Sequence, residues 1–174
     1  MIVWFAGMFS TKPTARNSSN SSRLTFAFPL LVFFLLIQFH IIPARWLNLH
    51  LWPQTRAMQA AGLAVTLVGC GFAIWARVTL GRNWSGLPKV RQEHELIVRG
   101  PYRLVRHPIY SGLLLAVAGS AIAYDNPVWL ICLVALTLSY VVKMRQEEQL
   151  MNETFPEAYP EYRRQVKALI PFVL

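Results

Sequence analysis

Four apolar runs, each bounded by polar or basic residues, limit what this chain can fold into. They cover residues 24–42, 57–80, 109–124 and 127–142. A bilayer core about 30 Å thick needs roughly 20 apolar residues in a helix that rises about 1.5 Å per residue. The last two runs are short and separated only by Asp125 and Asn126, and Pro127 is well placed to begin a helix. The sequence therefore predicts an all-α integral membrane protein with about four transmembrane helices, the last two forming a tight hairpin.

Composition agrees with a single membrane domain. Hydrophobic residues make up 55% of the 174 residues and charged residues only 14%, whereas long apolar stretches are rare in soluble domains. We expect one domain over residues 1–174, with a flexible tail over 1–23, two spans within 24–79 and a functional half over 80–174. Gly62, Gly69 and Gly71 in the second run favour close helix packing.

The distribution of basic residues predicts the orientation in the membrane. In a four-span arrangement, 15 of the 17 lysines and arginines fall on one side, including the N-terminal tail, the segment 77–106 and the C-terminal tail. Cytoplasmic segments carry such an excess, so both termini are predicted to be cytoplasmic. The absence of a eukaryotic sorting signal favours a prokaryotic inner membrane.

The same distribution limits the partners. The basic residues flank apolar segments instead of forming a stripe between soluble elements, which favours contact with membrane lipids and argues against nucleic acid. Cys70 and Cys132 lie inside apolar runs, and neither a CxxC nor an HExxH pattern occurs. We therefore expect no metal site.

The junction GPYRLVRHPIYSG, residues 100–112, places ionisable groups directly before the third apolar run. Charge at the edge of hydrocarbon is costly unless it is paired or hydrated, so such groups usually have a function. A basic membrane anchor with a proline at the helix start accounts for the arginines. It does not account for His94, Tyr102, His107 and Tyr110, which favour a ligand site.

A charged segment, residues 144–166, continues the fourth run as a predicted helix. An ordinary interpretation is a solvated helix in which Lys143 pairs with Glu147 one turn later. Alternatively, Glu147 faces the same chamber as His107, where a carboxylate suits an ammonium, a sulfonium or a ribose hydroxyl. Trp84 in the stretch 80–86 is explained equally well as an interfacial anchor or as part of this site.

Three motifs together resemble the isoprenylcysteine carboxyl methyltransferase family: GPYRLVRHPIYSG, the pair Glu147-Glu148, and FPEAYPEYRRQV near the C-terminus. Phospholipid N-methyltransferases share parts of this pattern. The resemblance covers about residues 80–172 and implies a cytoplasm-facing pocket for S-adenosylmethionine, built by the C-terminal half. The cofactor-binding residues it implies are His94, Glu95, Leu96, Ile97, Tyr102, His107, Pro108, Ile109, Tyr110, Glu147 and Glu148.

The resemblance also implies a reaction, the transfer of a methyl group to a lipophilic acceptor, most simply a carboxylate of the prenylcysteine type. Arg106, with Arg163 or its neighbour Arg164, is expected to orient an anionic acceptor. Lys143, where the family has arginine, and Trp84 are expected to contact the substrate. For an amine or thiol acceptor, His107 is the nearest candidate base.

Two other functions remain open on the sequence alone. One is an NADPH-dependent membrane reductase related to the sterol reductases, and the other is a non-catalytic membrane scaffold. A lipid chain is expected to enter sideways between helices, where the small residues of the second run and the short hairpin leave room for a gap.

Overall fold

The computed structural model describes residues 49–81 and 96–171. Predictions for the flexible tail and the first apolar run, and for Trp84, His94 and Glu95, lie outside these residues. The described chain forms four α-helices and a short 3₁₀ helix, Gly100–Arg103, which precedes the second of them. The α-helices are α1 Arg56–Leu80, α2 Pro108–Tyr124, α3 Pro127–Thr154 and α4 Ala158–Gln165. Within the described part, extended pairing is limited to an isolated bridge between Val105 and Lys167, so the all-α prediction is confirmed there.

Two of these helices, α1 and α3, are long and apolar enough to cross a membrane, and the 17-residue α2 is a shorter apolar helix. Large apolar side chains such as Leu67, Val134 and Leu138 point outward and are exposed. An outward-facing apolar surface of this kind suits lipid and not water. The protein is therefore a membrane protein, as its composition predicts.

Small residues bring α1 and α2 into backbone contact. A Cβ atom added at Gly69 would lie 2.5 Å from the amide nitrogen of Ala116, and one added at Gly62 would lie 2.5 Å from that of Ala123. The prediction of close packing is thus confirmed for Gly62 and Gly69. Gly71 instead faces away from α2, and within this chain nothing lies within 4 Å of its added Cβ.

This contact also corrects the expected entry route for a lipid chain. The small-residue face of α1, together with the short hairpin, was expected to leave a gap, and the structure tests the first of these two. Instead, the backbone of α2 occupies that face, with Gly112 and Gly119 opposite Gly69 and Thr66. Small residues in membrane helices allow backbones to approach, so they close this interface.

The predicted tight hairpin between α2 and α3 is confirmed. Asp125 ends α2 in the left-handed conformation, with φ of 50°, and Asn126 accepts a 2.8 Å hydrogen bond from the amide of Val128 at the start of α3. The buried carboxylate of Asp125 accepts hydrogen bonds from the amides of Leu51 and Trp52, at 2.9 and 3.0 Å. One aspartate therefore ends a helix and fixes the chain that leads into α1.

The ends of the other helices refine three expectations. Arg77, grouped with the cytoplasmic loop by its charge, lies buried in the last turn of α1 and donates to the carbonyl of Gly81 at 3.0 Å. The charged extension of the fourth run is confirmed, since α3 continues to Thr154. Pro156 and Pro160 are both expected from the sequence to interrupt the charged helix. Pro156 separates α3 from α4, whereas Pro160 lies in the first turn of α4, where no backbone N–H is needed.

The C-terminal segment folds back onto the start of α2. The amides of Arg106 and His107 donate to the carbonyls of Lys167 and Ala168, at 2.8 and 3.0 Å. The hydroxyl of Ser111 donates to the carbonyl of Leu169 at 2.6 Å. The side chain of Leu169 is buried in an apolar cluster whose other buried members are Tyr110, Tyr140 and Met144.

Candidate functional site

The first turn of α2 and the polar extension of α3 meet around one carboxylate, that of Glu147. The hydroxyl of Tyr110 donates a 2.7 Å hydrogen bond to its Oε1. Lys143 Nζ lies 3.8 Å from the same oxygen, and His107 Nδ1 lies 3.6 Å from Oε2. We call these four residues the Glu147 cluster. The side chain of Glu147 remains 21% exposed.

The neighbouring carboxylate, Glu148, has different partners. Arg106 donates to Glu148 Oε1 from Nε at 3.0 Å and from Nη2 at 2.8 Å. Nη1 of Arg106 donates to the carbonyls of Arg163, at 3.1 Å, and of Val166. On the other side, Arg163 Nε lies 3.6 Å from Glu148 Oε2. We call Arg106 and Glu148 the Arg106–Glu148 pair. Its contacts join the start of α2 to α3 and to the C-terminal end of α4.

These contacts keep Glu148 ionised. Burial alone would raise the pKa of this carboxyl, which lies beyond the apolar part of α3. Hydrogen bonds from His107 and Arg106, together with their charges, outweigh burial and lower its pKa to about 2. Glu148 is therefore an anion at any physiological pH.

His107 lies between the two carboxylates. While Nδ1 faces Glu147, Nε2 lies 3.4 Å from Glu148 Oε1. The imidazole also stacks on the ring of Tyr110, with centroids 5.6 Å apart and planes 13° apart. Both ring nitrogens thus contact carboxylates, which disfavours His107 as a free general base.

Tyr140 belongs to this site and was missed by the sequence interpretation. Its ring is buried and stacks on Tyr110, with centroids 4.5 Å apart, so that His107, Tyr110 and Tyr140 form a column of rings. A tyrosine inside an apolar run is usually an ordinary packing residue. Tyr140 lies three residues before Lys143 on the same helix, and residues at this spacing share a helix face. This spacing is the sequence signal that relates Tyr140 to the cluster.

The segment before α2 packs beside the cluster. The carbonyl of Tyr102 accepts a 2.6 Å hydrogen bond from the hydroxyl of Tyr162, and its ring packs with Ile97 and Ala76. Burial, followed by the negative charge of Glu147, raises the pKa of the Tyr102 phenol. Gly100, at φ of 60°, permits the close turn against Thr79 that places this segment.

The structure thus brings most of the predicted site residues together. Seven of them form the polar contacts above: Arg106, His107, Tyr110, Lys143, Glu147, Glu148 and Arg163. Three more lie in the apolar packing next to them, namely Ile97, Tyr102 and Ile109. Pro108 is buried at the first position of α2, and Leu96 is half-buried at the edge of the described segment.

An open groove of about 420 Å³ includes Glu148 in its lining. Its lining residues are Arg145, Glu148, Gln149, Asn152, Glu153 and Arg163. Arg164, the alternative to Arg163, instead pairs with Glu161 at 3.3 Å. Among the residues described, no group of three or more histidines, cysteines or carboxylates is placed to hold a metal ion.

Known proteins resemble this chain in both sequence and structure. Protein-S-isoprenylcysteine O-methyltransferase B of Arabidopsis thaliana is 31% identical over 115 residues, which are 64% of this chain and 58% of that protein. The nickel-cobalt-cadmium resistance protein NccN of Alcaligenes xylosoxydans xylosoxydans is 32% identical over 122 residues, 69% of this chain and 54% of that protein. The chain thus spans less than two thirds of the length of these curated relatives.

The solved structure of the eukaryotic intramembrane Ras methyltransferase ICMT, isoprenylcysteine carboxyl methyltransferase, superposes with a TM-score of 0.57 at 28% identity. The superposition covers 91% of this chain and 55% of that one. The phospholipid methyltransferase family model matches residues 57–158, which include α1, α2, α3 and the Glu147 cluster. The chain belongs to the phospholipid methyltransferase family, and within it resembles the isoprenylcysteine O-methyltransferases.

Proposed function

We propose that the protein is a membrane S-adenosylmethionine-dependent methyltransferase that acts on a lipophilic acceptor, a carboxylate of the prenylcysteine type. The observation that carries the proposal is the Glu147 cluster, a partly exposed carboxylate at the polar end of apolar helices. The names of the isoprenylcysteine O-methyltransferase relatives support the same reaction. Family membership favours it over a membrane reductase or a scaffold.

The chemistry of the cluster fits the cofactor. S-adenosylmethionine carries a sulfonium, an ammonium and ribose hydroxyls, and a carboxylate binds each of these groups favourably. Glu147 is partly exposed, and its contact with Lys143 at 3.8 Å is long enough to yield to a ligand. When bound, the cofactor supplies an electrophilic methyl group. The residues proposed to hold it are His94, Glu95, Leu96, Ile97, Tyr102, His107, Pro108, Ile109, Tyr110, Glu147 and Glu148.

The chain's own residues need not remove a proton from a carboxylate acceptor. A carboxyl group is already ionised at neutral pH, so no general base is required. A reaction without a general base is consistent with the position of His107, because both of its ring nitrogens already contact carboxylates. The protein then contributes to the rate mainly by aligning the methyl donor with the acceptor and by excluding water from the site. The buried rings of Tyr110 and Tyr140 provide an apolar wall for this purpose.

Lys143 is proposed to attract the acceptor carboxylate, and Trp84 is proposed to contact the substrate. The ammonium of Lys143 is buried beside Glu147 and lies 5.8 Å from the centroid of the Tyr110 ring. A lysine acts as a point charge and lacks the two-pronged geometry of arginine. Arg163, whose side chain is 54% exposed, is available to orient an anionic group at the groove.

The proposed location is a prokaryotic inner membrane, with the cluster and both termini in the cytoplasm. The excess of lysine and arginine in the segments around the cluster supports this orientation. Reporter fusions after residue 125 and at the C-terminus test it, since the two positions are expected on opposite sides of the membrane.

Calorimetry of S-adenosylmethionine binding to purified protein in detergent tests the function. We expect saturable binding by the wild type and weaker binding by His107→Ala and Glu147→Ala. Transfer of labelled methyl to a farnesylated cysteine, compared with the same cysteine without the lipid, then tests the acceptor. Binding of NADPH in place of S-adenosylmethionine would move the assignment to the reductase.

A further inference from the structure

We infer that Arg106 and Glu148 are a positioning pair: they hold His107 and Glu147 in place for the cofactor, and Arg106 does not contact the acceptor. This inference rests on the proposed function. It replaces the expectation from the sequence that Arg106 orients an anionic acceptor, and it assigns Glu148 to positioning instead of direct contact with the cofactor.

The donors of Arg106 are committed to the protein itself. A guanidinium has five N–H groups, and four hydrogen bonds from Arg106 end on Glu148 and on the carbonyls of Arg163 and Val166. The side chain is 10% exposed. An acceptor carboxylate would have to displace these partners and deprive the largely buried Glu148 of the arginine that donates two hydrogen bonds to it, which is strongly unfavourable.

The pair is placed to set the distance between the two cofactor-facing groups. Arg106 immediately precedes His107 at the start of α2, and Glu148 immediately follows Glu147 on α3. His107 Nε2 also contacts Glu148 Oε1, the oxygen that receives both hydrogen bonds from Arg106. The pair therefore ties the start of α2, next to His107, to the turn of α3 that carries Glu147.

Arg163 provides a comparison on the same carboxylate. It makes a single long contact of 3.6 Å with Glu148 and is largely exposed. Its side chain can leave Glu148 without losing a buried ion pair. Of the two arginines, only Arg106 has the geometry of a positioning residue.

The test compares Arg106→Lys, Arg106→Gln, Glu148→Gln and the double variant Arg106→Gln/Glu148→Gln with Arg103→Gln, which removes an exposed arginine nearby. For each protein, the dissociation constant for S-adenosylmethionine, the KM for the prenylated acceptor and the melting temperature are measured. We expect Arg106→Gln and Glu148→Gln each to weaken cofactor binding by about tenfold or more.

We expect three further results. Arg106→Lys retains the charge and loses less affinity than Arg106→Gln. The double variant binds the cofactor only slightly more weakly than the single variant with the lower affinity, because each single substitution already removes the same interaction. The acceptor KM, measured at saturating cofactor, and all values for Arg103→Gln remain within about twofold of the wild type, as for positions outside the interaction.

A raised acceptor KM with unchanged cofactor affinity would overturn the inference, because it would place Arg106 at the acceptor. Equal losses in both constants together with a lower melting temperature would also overturn it and assign a general structural role. If Arg106→Gln does not fold, Arg106→Lys and Glu148→Gln decide between these outcomes. Failure of the wild type itself to bind S-adenosylmethionine would instead reject the proposed function.

Discussion

The hydroxyl of Tyr110 donates a 2.7 Å hydrogen bond to Oε1 of Glu147, and so joins the first turn of α2 to the polar extension of α3. Glu147 is held from one side by this bond and by Lys143, while its other oxygen faces His107. The carboxylate is thus oriented before a ligand arrives, which lowers the cost of ordering it on binding.

This relationship predicts a ranking of two variants. Tyr110→Phe keeps the ring stack with His107 and Tyr140 but removes one hydrogen bond, and should weaken S-adenosylmethionine binding by about 1 kcal/mol. Glu147→Gln removes the charge that attracts the cofactor and should cost about 2 kcal/mol or more. Calorimetry on the two variants measures both losses. A larger loss for Tyr110→Phe would contradict the assignment of Glu147 as the principal contact.

Glu148 predicts a dependence of stability on acid. Its pKa is lowered to about 2 from an ordinary value of 4.5. A carboxyl whose pKa is lower in the folded state stabilises the protein fully above the ordinary value, and this contribution is lost as the pH falls from about 4.5 to about 2. Unfolding measured across this range should show the loss in the wild type. The free energy of unfolding should fall less steeply with decreasing pH in Glu148→Gln than in the wild type. Identical slopes would argue against the ion pair.

The α1–α2 interface predicts opposite effects for two glycines on one helix. Gly69→Ala forces a Cβ to within 2.5 Å of the backbone of Ala116 and should destabilise the protein by about 1–3 kcal/mol. Gly71→Ala meets nothing within 4 Å and should be neutral or stabilising by up to about 1 kcal/mol. The melting temperatures of the two variants, measured in the same detergent, test this difference. Equal values would contradict the close packing of α1 against α2 at Gly69.

Asp125 offers a test of the hairpin. Asp125→Ala removes the acceptor for the amides of Leu51 and Trp52 and places alanine at φ of 50°, so a loss of about 2–4 kcal/mol is expected. Asp125→Asn keeps an acceptor oxygen and tolerates this conformation, so its loss should be about 1 kcal/mol or less. Thermal unfolding distinguishes them. Similar destabilisation by both would indicate that charge, and not geometry, is decisive.

The sequence alone predicts the described helices well because hydrophobic run length, flanking prolines and charge all point to the same boundaries. The hairpin at Asp125 and Asn126 and the extension of α3 past residue 142 follow from these local signals. The same reasoning places His107 and Glu147 in one chamber, since each lies about one turn from an apolar run.

Other features depend on which way a side chain points, and the sequence does not contain that information directly. Glu147 and Glu148 are adjacent, yet a helix turns about 100° per residue, so one faces the cluster and the other faces Arg106. Gly69 and Gly71 differ for the same reason. The sequence also does not show that the donors of Arg106 are occupied, because the carbonyls of Arg163 and Val166 come from a segment that returns only in the folded chain.

The backbone contact between α1 and α2 has a consequence for how an acceptor reaches the Glu147 cluster. Where main-chain atoms of two helices touch at Gly62, Gly69, Gly112 and Gly119, no side chain can rotate aside to make room. The two helices therefore behave as a fixed wall on one side of the site. A lipid-bearing acceptor of the proposed kind is therefore not expected to enter between α1 and α2 at these contacts, and the rate of its entry should not depend on this wall.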